Sequence, residues 1–209
     1  FCSFAAGSHS GQGCAITSRL VVPRDSLDLA VATVKSTFEG FGVGDPSDPA
    51  NYMGPLISAQ QQAKVQGMVD RAVEAGATVV TGGKPPEGLD KGHFFAPTLI
   101  VGAAEDSEIA RDEIFGPVLV VQEHDGDDHA IALANDSIYG LSGGVLSADN
   151  ERAHRVAAKL RTGTVSVNGG MWYGADVPFG GYKQSGIGRE SGVQGFEEYL
   201  ELKAVAEGV

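Results

Sequence analysis

Cysteine is scarce: Cys2 and Cys14 are the only two in 209 residues, far too few for a disulfide scaffold of this length. Basic side chains are in deficit as well. Fifteen Lys and Arg stand against twenty-seven Asp and Glu, and the formal charge of -12 repels phosphate backbones and anionic lipid alike. The expectation is no nucleic-acid partner and no membrane partner. No apolar run approaches the roughly 20 residues that a membrane helix needs, and no basic segment followed by an apolar core opens the chain. Together with the reduced thiols, this predicts a cytoplasmic setting. Several functional signatures are missing too. There is no G-x-G-x-x-G after a strand, no phosphate loop, no Cys-x-x-Cys and no His-Glu-x-x-His, and histidines 9, 93, 124, 129 and 154 lack ligand spacing, so no metal is expected.

What is present is glycine and regular hydrophobic spacing. Hydrophobic residues make up 42% and charged residues 20%, proportions that favour a folded domain over disorder or a coiled coil. The 30 glycines are roughly twice the usual share, and they gather near 7–13, 40–44 and 163–195, which suggests loops built for close approach. Leu27, Val31, Val34 and Phe38 keep helical spacing. A second helix follows Ser58, where Gln61 completes a reciprocal capping pattern; Val65, Met68, Val69, Ala72 and Val73 form its stripe, and Gly76 stops it. Ala153, Val156, Ala157 and Leu160 make a third stripe, and a weaker helix covers 128–135. Short β-branched runs at 20–22, 78–81, 98–101, 118–122, 144–146 and 164–167 lie between them. This alternation predicts an α/β fold with a mainly parallel open sheet flanked by helices in three layers, ending in an edge strand over 199–205.

Three motifs could carry chemistry. In Gly11-Gln12-Gly13-Cys14 a thiol flanked by residues without bulk can be approached by a substrate carbonyl, and turn amides can favour the thiolate and donate to an oxyanion. The bland alternative is a small buried hydrophobe. In Glu113-Ile114-Phe115-Gly116-Pro117 an acid and an aromatic ring two residues apart share a face if the backbone is extended, a pair able to grip a ribose and a flat ring. A surface carboxylate beside a core phenylalanine is the plainer reading. The stretch 178–190, rich in glycine, reads as a shaped loop.

In this order and spacing, the motifs resemble the aldehyde dehydrogenase superfamily. Met53-Gly54-Pro55-Leu56-Ile57, Phe95-Ala96-Pro97-Thr98, Tyr139-Gly140-Leu141-Ser142-Gly143 and Val167-Asn168 extend the likeness along essentially the whole chain. The resemblance implies that Cys14 is the catalytic thiol, forming a thiohemiacetal and then a thioester once hydride has left to NAD or NADP. It implies that Glu113 holds the nicotinamide ribose and that Phe115 packs near the nicotinamide. Tyr173 and Phe179, with Trp172 beside them, fall where the family lines its aldehyde tunnel, and Asn168 holds the loop. The expected partners are a small-molecule aldehyde and further copies of the chain, paired through the segment from Glu201.

The general-base glutamate, the oxyanion asparagine and the dinucleotide domain of that family lie upstream of its thiol and are not in these residues. The chain therefore reads as a catalytic domain over 1–198 with an oligomerisation strand over 199–209, separated from its cofactor domain and inactive alone. A cysteine hydrolase using His9, or a module that only oligomerises, are the competing readings.

Overall fold

The computed structural model describes residues 2–170 and 173–208. They fall into two compact units, Phe1–Ser137 and Ile138–Val209. The first contains α1 (Cys2–Gly7), β1 (Arg19–Pro23), α2 (Leu27–Glu39), α3 (Ala59–Glu74), β2 (Thr78–Thr81), β3 (Thr98–Val101), α4 (Glu108–Arg111), β4 (Val118–His124) and α5 (Asp127–Asn135). Its sheet runs β1-β4-β3-β2, with β4 parallel to both neighbours and β2 antiparallel at the edge. The mainly parallel sheet predicted from the alternation is thus present.

β4 sits in the middle, so both of its faces must be covered, and its sequence is apolar without alternation for that reason. Val118 and Val120 pack with Ile100 against the α3 stripe of Val65, Met68, Val69 and Ala72. Leu119 and Val121 pack with Leu99 against Val34 and Phe38 of α2. Helices on both faces of one sheet make three layers. Each fully buried aliphatic side chain contributes about 1.5–3 kcal/mol, and Leu99, Ile100, Leu119 and Val120 are all completely excluded from water.

The limits of α3 follow from its ends. Ser58 is extended and its Oγ accepts from the Gln61 backbone N–H at 3.1 Å. At the other end Gly76 adopts φ +99°, while Gly76 N–H donates to Val73 O and Ala77 N–H donates to Ala72 O, a Schellman closure that needs a residue without a side chain. The reciprocal half of the expected cap does not form, because the Gln61 carboxamide bonds elsewhere.

The second unit contains β5 (Ser142–Val145), α6 (Asn150–Ala157), β6 (Thr164–Val167) and α7 (Gly192–Glu197), with β5 and β6 paired in parallel. Asp149 caps α6 by accepting from the Arg152 N–H at 3.0 Å. β5 begins two residues earlier than the sequence predicts. Residues 201–208 carry no strand and are exposed throughout; an isolated segment has no ladder partner with which to form one.

Candidate active site

The path to Cys14 is set by backbone shape. After α1 the chain enters a short 3-10 turn, Ser8–Gly11, in which His9, Ser10 and Gly11 have φ of 50°, 56° and 74°. For His9 and Ser10 the left-handed conformation costs about 1–2 kcal/mol each. Specific contacts hold it. Ser10 is buried and its Oγ donates to Gly54 O at 2.8 Å. The Gln12 N–H and Nε2 both donate to His9 O, at 3.1 and 3.2 Å, and Gln12 Oε1 accepts from the Ile57 N–H at 2.9 Å. Gly11 lies so close to the Gly116–Pro117 peptide that a Cβ there would stand 2.0 Å from Gly116 O.

Cys14 follows at the second position of a turn closed by the Ile16 N–H on Gly13 O at 3.2 Å, and it is exposed. It is not the small buried hydrophobe of the plainer reading. Cys2 is half-buried, and burial pushes its thiol up from the ordinary range. The His9 ring is exposed, and among the described residues no hydrogen bond joins it to Cys14.

The Glu113–Pro117 segment is fastened by α3. Gln61 Nε2 donates to Ile114 O at 3.1 Å and to Phe115 O at 2.7 Å, and Lys64 Nζ donates to Glu113 O at 2.8 Å. A Cβ on Gly116 would stand 2.5 Å from Val65 Cγ2. Glu113 is exposed, Ile114 is buried and Phe115 is half-buried. Phe115 has φ 56°, so the segment is not extended there, and the shared-face rule behind the sequence expectation does not apply to it. What brings this segment to the thiol turn is the Gly11–Gly116 contact.

Sequence reasoning missed Ser10, Gln12, Gln61 and Lys64 as the residues that build this arrangement. Gln61 carried a signal, its place three residues after Ser58, but that signal was spent on a cap.

The tunnel candidates belong to the second unit. The Tyr173 and Phe179 rings meet edge to face at 6.2 Å, with Tyr173 exposed. Phe179 exchanges both backbone hydrogen bonds with Glu190, each 2.7 Å. Trp172 lies outside the described residues. Asn168 is left-handed, accepts from the Ser147 N–H and donates to Asn150 Oδ1, ties consistent with holding a loop.

An exposed cysteine on a glycine-shaped turn, packed through Gly11 against the Gly116–Pro117 peptide beside a three-layer α/β sheet, defines a thiol-bearing α/β domain. The chain belongs to the aldehyde dehydrogenase family, whose family model matches residues 1–205. A putative aldehyde dehydrogenase of Staphylococcus aureus is 42% identical over 200 residues, 95% of this chain and 42% of that protein. The chain therefore spans about two-fifths of the length of such relatives. Among solved structures, the aldehyde dehydrogenase of Mycobacterium tuberculosis complexed with NAD+ superposes with a TM-score of 0.91 at 43% identity, covering 94% of this chain and 41% of that one. Betaine aldehyde dehydrogenase of Staphylococcus aureus in complex with NAD+ gives 0.92 at 42% identity, covering 95% of this chain and 40% of that one.

Among the described residues no helix is long and apolar enough to cross a membrane.

Proposed function

We propose that the chain is the thiol-bearing part of an NAD(P)-dependent aldehyde dehydrogenase that oxidises an aldehyde to a carboxylic acid, with Cys14 as the nucleophile. The observation that carries this reading is the open Cys14 turn locked at Gly11 onto the Gly116–Pro117 peptide, whose Gly116 directly follows Phe115 and lies three residues after Glu113. As a thiolate, Cys14 Sγ adds to the carbonyl carbon. A C–S bond forms, the π pair moves to oxygen, and that oxygen takes a proton to give the thiohemiacetal.

NAD(P) suits the residues present. Glu113 offers a free carboxylate with acceptor capacity for two ribose hydroxyls, and Phe115 leaves part of its ring uncovered. When bound, NAD(P) supplies the acceptor for the hydride released as the thioester forms. The α3 contacts from Gln61 and Lys64 hold the Glu113–Phe115 backbone against the pull of such a ligand.

To Tyr173 and Phe179, whose rings meet edge to face, we assign the aldehyde-lining role that the family resemblance also gives Trp172. Such rings suit an apolar or aromatic aldehyde and, as the betaine aldehyde dehydrogenase relative suggests, a quaternary ammonium one. The exposed segment 201–208, with Leu202 and Val205 open to solvent, is the surface through which copies of the chain pair. A reducing, cytoplasmic compartment suits a free thiol.

Alkylation followed by mass spectrometry tests the central assignment: Cys14 is modified several-fold faster than Cys2, and equal or reversed labelling overturns it. Among the described residues no hydrogen bond gives the thiol a general base, and a missing base typically costs 100-fold or more. NAD(P)H formation by this chain alone, on a panel of aldehydes, is expected to be negligible.

A further inference from the structure

We propose that Gln12 is a positioning residue for Cys14, an inference that rests on the reading of Cys14 as nucleophile. The left-handed run His9–Ser10–Gly11 is a high-energy path, and a turn reached through it stays in place only if the path is over-determined. Gln12 does this from both ends of one carboxamide. Its Nε2 donates to His9 O, inside the run, while its Oε1 accepts from the Ile57 N–H, outside it. The same residue's backbone N–H also donates to His9 O. One planar group thus fastens the strained turn to the Met53–Ile57 segment, where Gly54 O already receives Ser10 Oγ.

The geometry separates this role from simple packing. Gln12 is only half-buried, so its side chain fills little core volume, and what it contributes is directional. Two residues further on, Cys14 stands exposed on the Gly13–Ile16 turn, and among the described residues no side-chain hydrogen bond fixes it. Releasing the carboxamide lets the run relax and the thiol wander from its open setting.

The test uses three forms of the 209-residue chain: wild type, Gln12→Met and Gln12→Glu. Methionine keeps the volume and loses both hydrogen bonds. Glutamate keeps the acceptor for Ile57 and loses the donor to His9. Cys14 alkylation is followed with iodoacetamide, Cys2 serves as the internal reference, and hydrogen exchange reports the Ile57 amide. Gln12→Met is expected to slow Cys14 about fivefold, the scale of one modest net hydrogen bond, and to lose protection at Ile57, while Cys2 is unchanged. Gln12→Glu is expected to keep Ile57 protected and to slow Cys14 less.

If Gln12→Met behaves as wild type, or if Met and Glu are equivalent, the positioning role is overturned. If wild-type Cys14 itself reacts no faster than Cys2, it is the nucleophile assignment that fails instead. Should Gln12→Met not fold, the comparison of Gln12→Glu with wild type decides, since loss of the His9 bond alone must still slow Cys14.

Discussion

The two units hold themselves together by different physics. In Phe1–Ser137 the sheet is sandwiched between helices and two apolar clusters fill the layers. In Ile138–Val209 the only buried hydrophobic residue among those described is Ala153, and the buried groups beside it are the hydroxyl-bearing Thr164 and Ser166. Shape there comes from backbone meeting backbone. A Cβ on Gly163 would stand 1.6 Å from Gly180 O, and one on Gly180 would stand 2.3 Å from Gly188 O. The Arg189 guanidinium donates to Gly181 O and Gly188 O and lies over the Tyr182 ring at 5.5 Å, with Arg161 at the same distance from that ring. The first unit supplies a stiff platform for a strained turn, and the second supplies a loop whose form depends on contact rather than on burial.

The sharpest way to break this contrast is to cut the core. Leu119→Ala removes a side chain with no exposure at all from the central strand, and the loss should be about 3 kcal/mol within the usual 2–5. Denaturant titration checks it, and a loss under 1 kcal/mol would mean that the α2 layer can collapse onto the gap. Gly163→Ala comes next. It leaves every apolar contact intact yet drives a methyl into Gly180 O, at a cost of about 2 kcal/mol. Hydrogen exchange at the Phe179 and Tyr182 amides, bonded to Glu190 O and Gly140 O, should rise in this variant. Unchanged protection would show that the glycine contact is not what shapes the loop.

Arg189→Lys probes the same loop more gently. The charge stays, but a lysine cannot reach both carbonyls and cover the ring with one planar group. The expected loss is about 1 kcal/mol, and a drop in Tyr182 amide protection smaller than that of Gly163→Ala would rank the two devices.

This difference also governs what could be read from the sequence. Where burial dictates, the letters carry the pattern: the Val65 to Ala72 stripe and the apolar run of β4 gave their elements directly, since periodicity is a local property. The Gly11-Gln12-Gly13-Cys14 stretch was legible as a turn open to close approach, but not what it leans on, because Gly116 is remote in the chain and only the fold brings it near. Left-handed His9, Ser10 and Phe115 left no trace either, for their residue types do not announce positive φ. The Tyr199 to Val205 alternation shows the converse. A strand pattern is legible there, yet it specifies only half of a ladder, and among the described residues no strand pairs with it.

The smallest expected effect tests whether charge adds to the platform beneath Glu113. Arg71 on α3 donates to both oxygens of Glu108 on α4, each at 2.8 Å, and α4 leads directly into the Glu113 segment. The Arg71 hydrogen bonds, more than its charge, hold the Glu108 carboxyl below its ordinary value of 4.5. A folded-state value depressed in this way means that the stabilisation is fully present above the unfolded value and is lost as pH falls through the folded one. Both side chains are about half exposed, so solvent screening keeps the pair's contribution small. Glu108→Gln should therefore be only slightly less stable than wild type at pH 7. The gap should close as the pH drops below the ordinary glutamate range, and it should shrink with added salt. A gap independent of pH would assign the contact to packing, leaving burial alone as the force that sets the first unit apart.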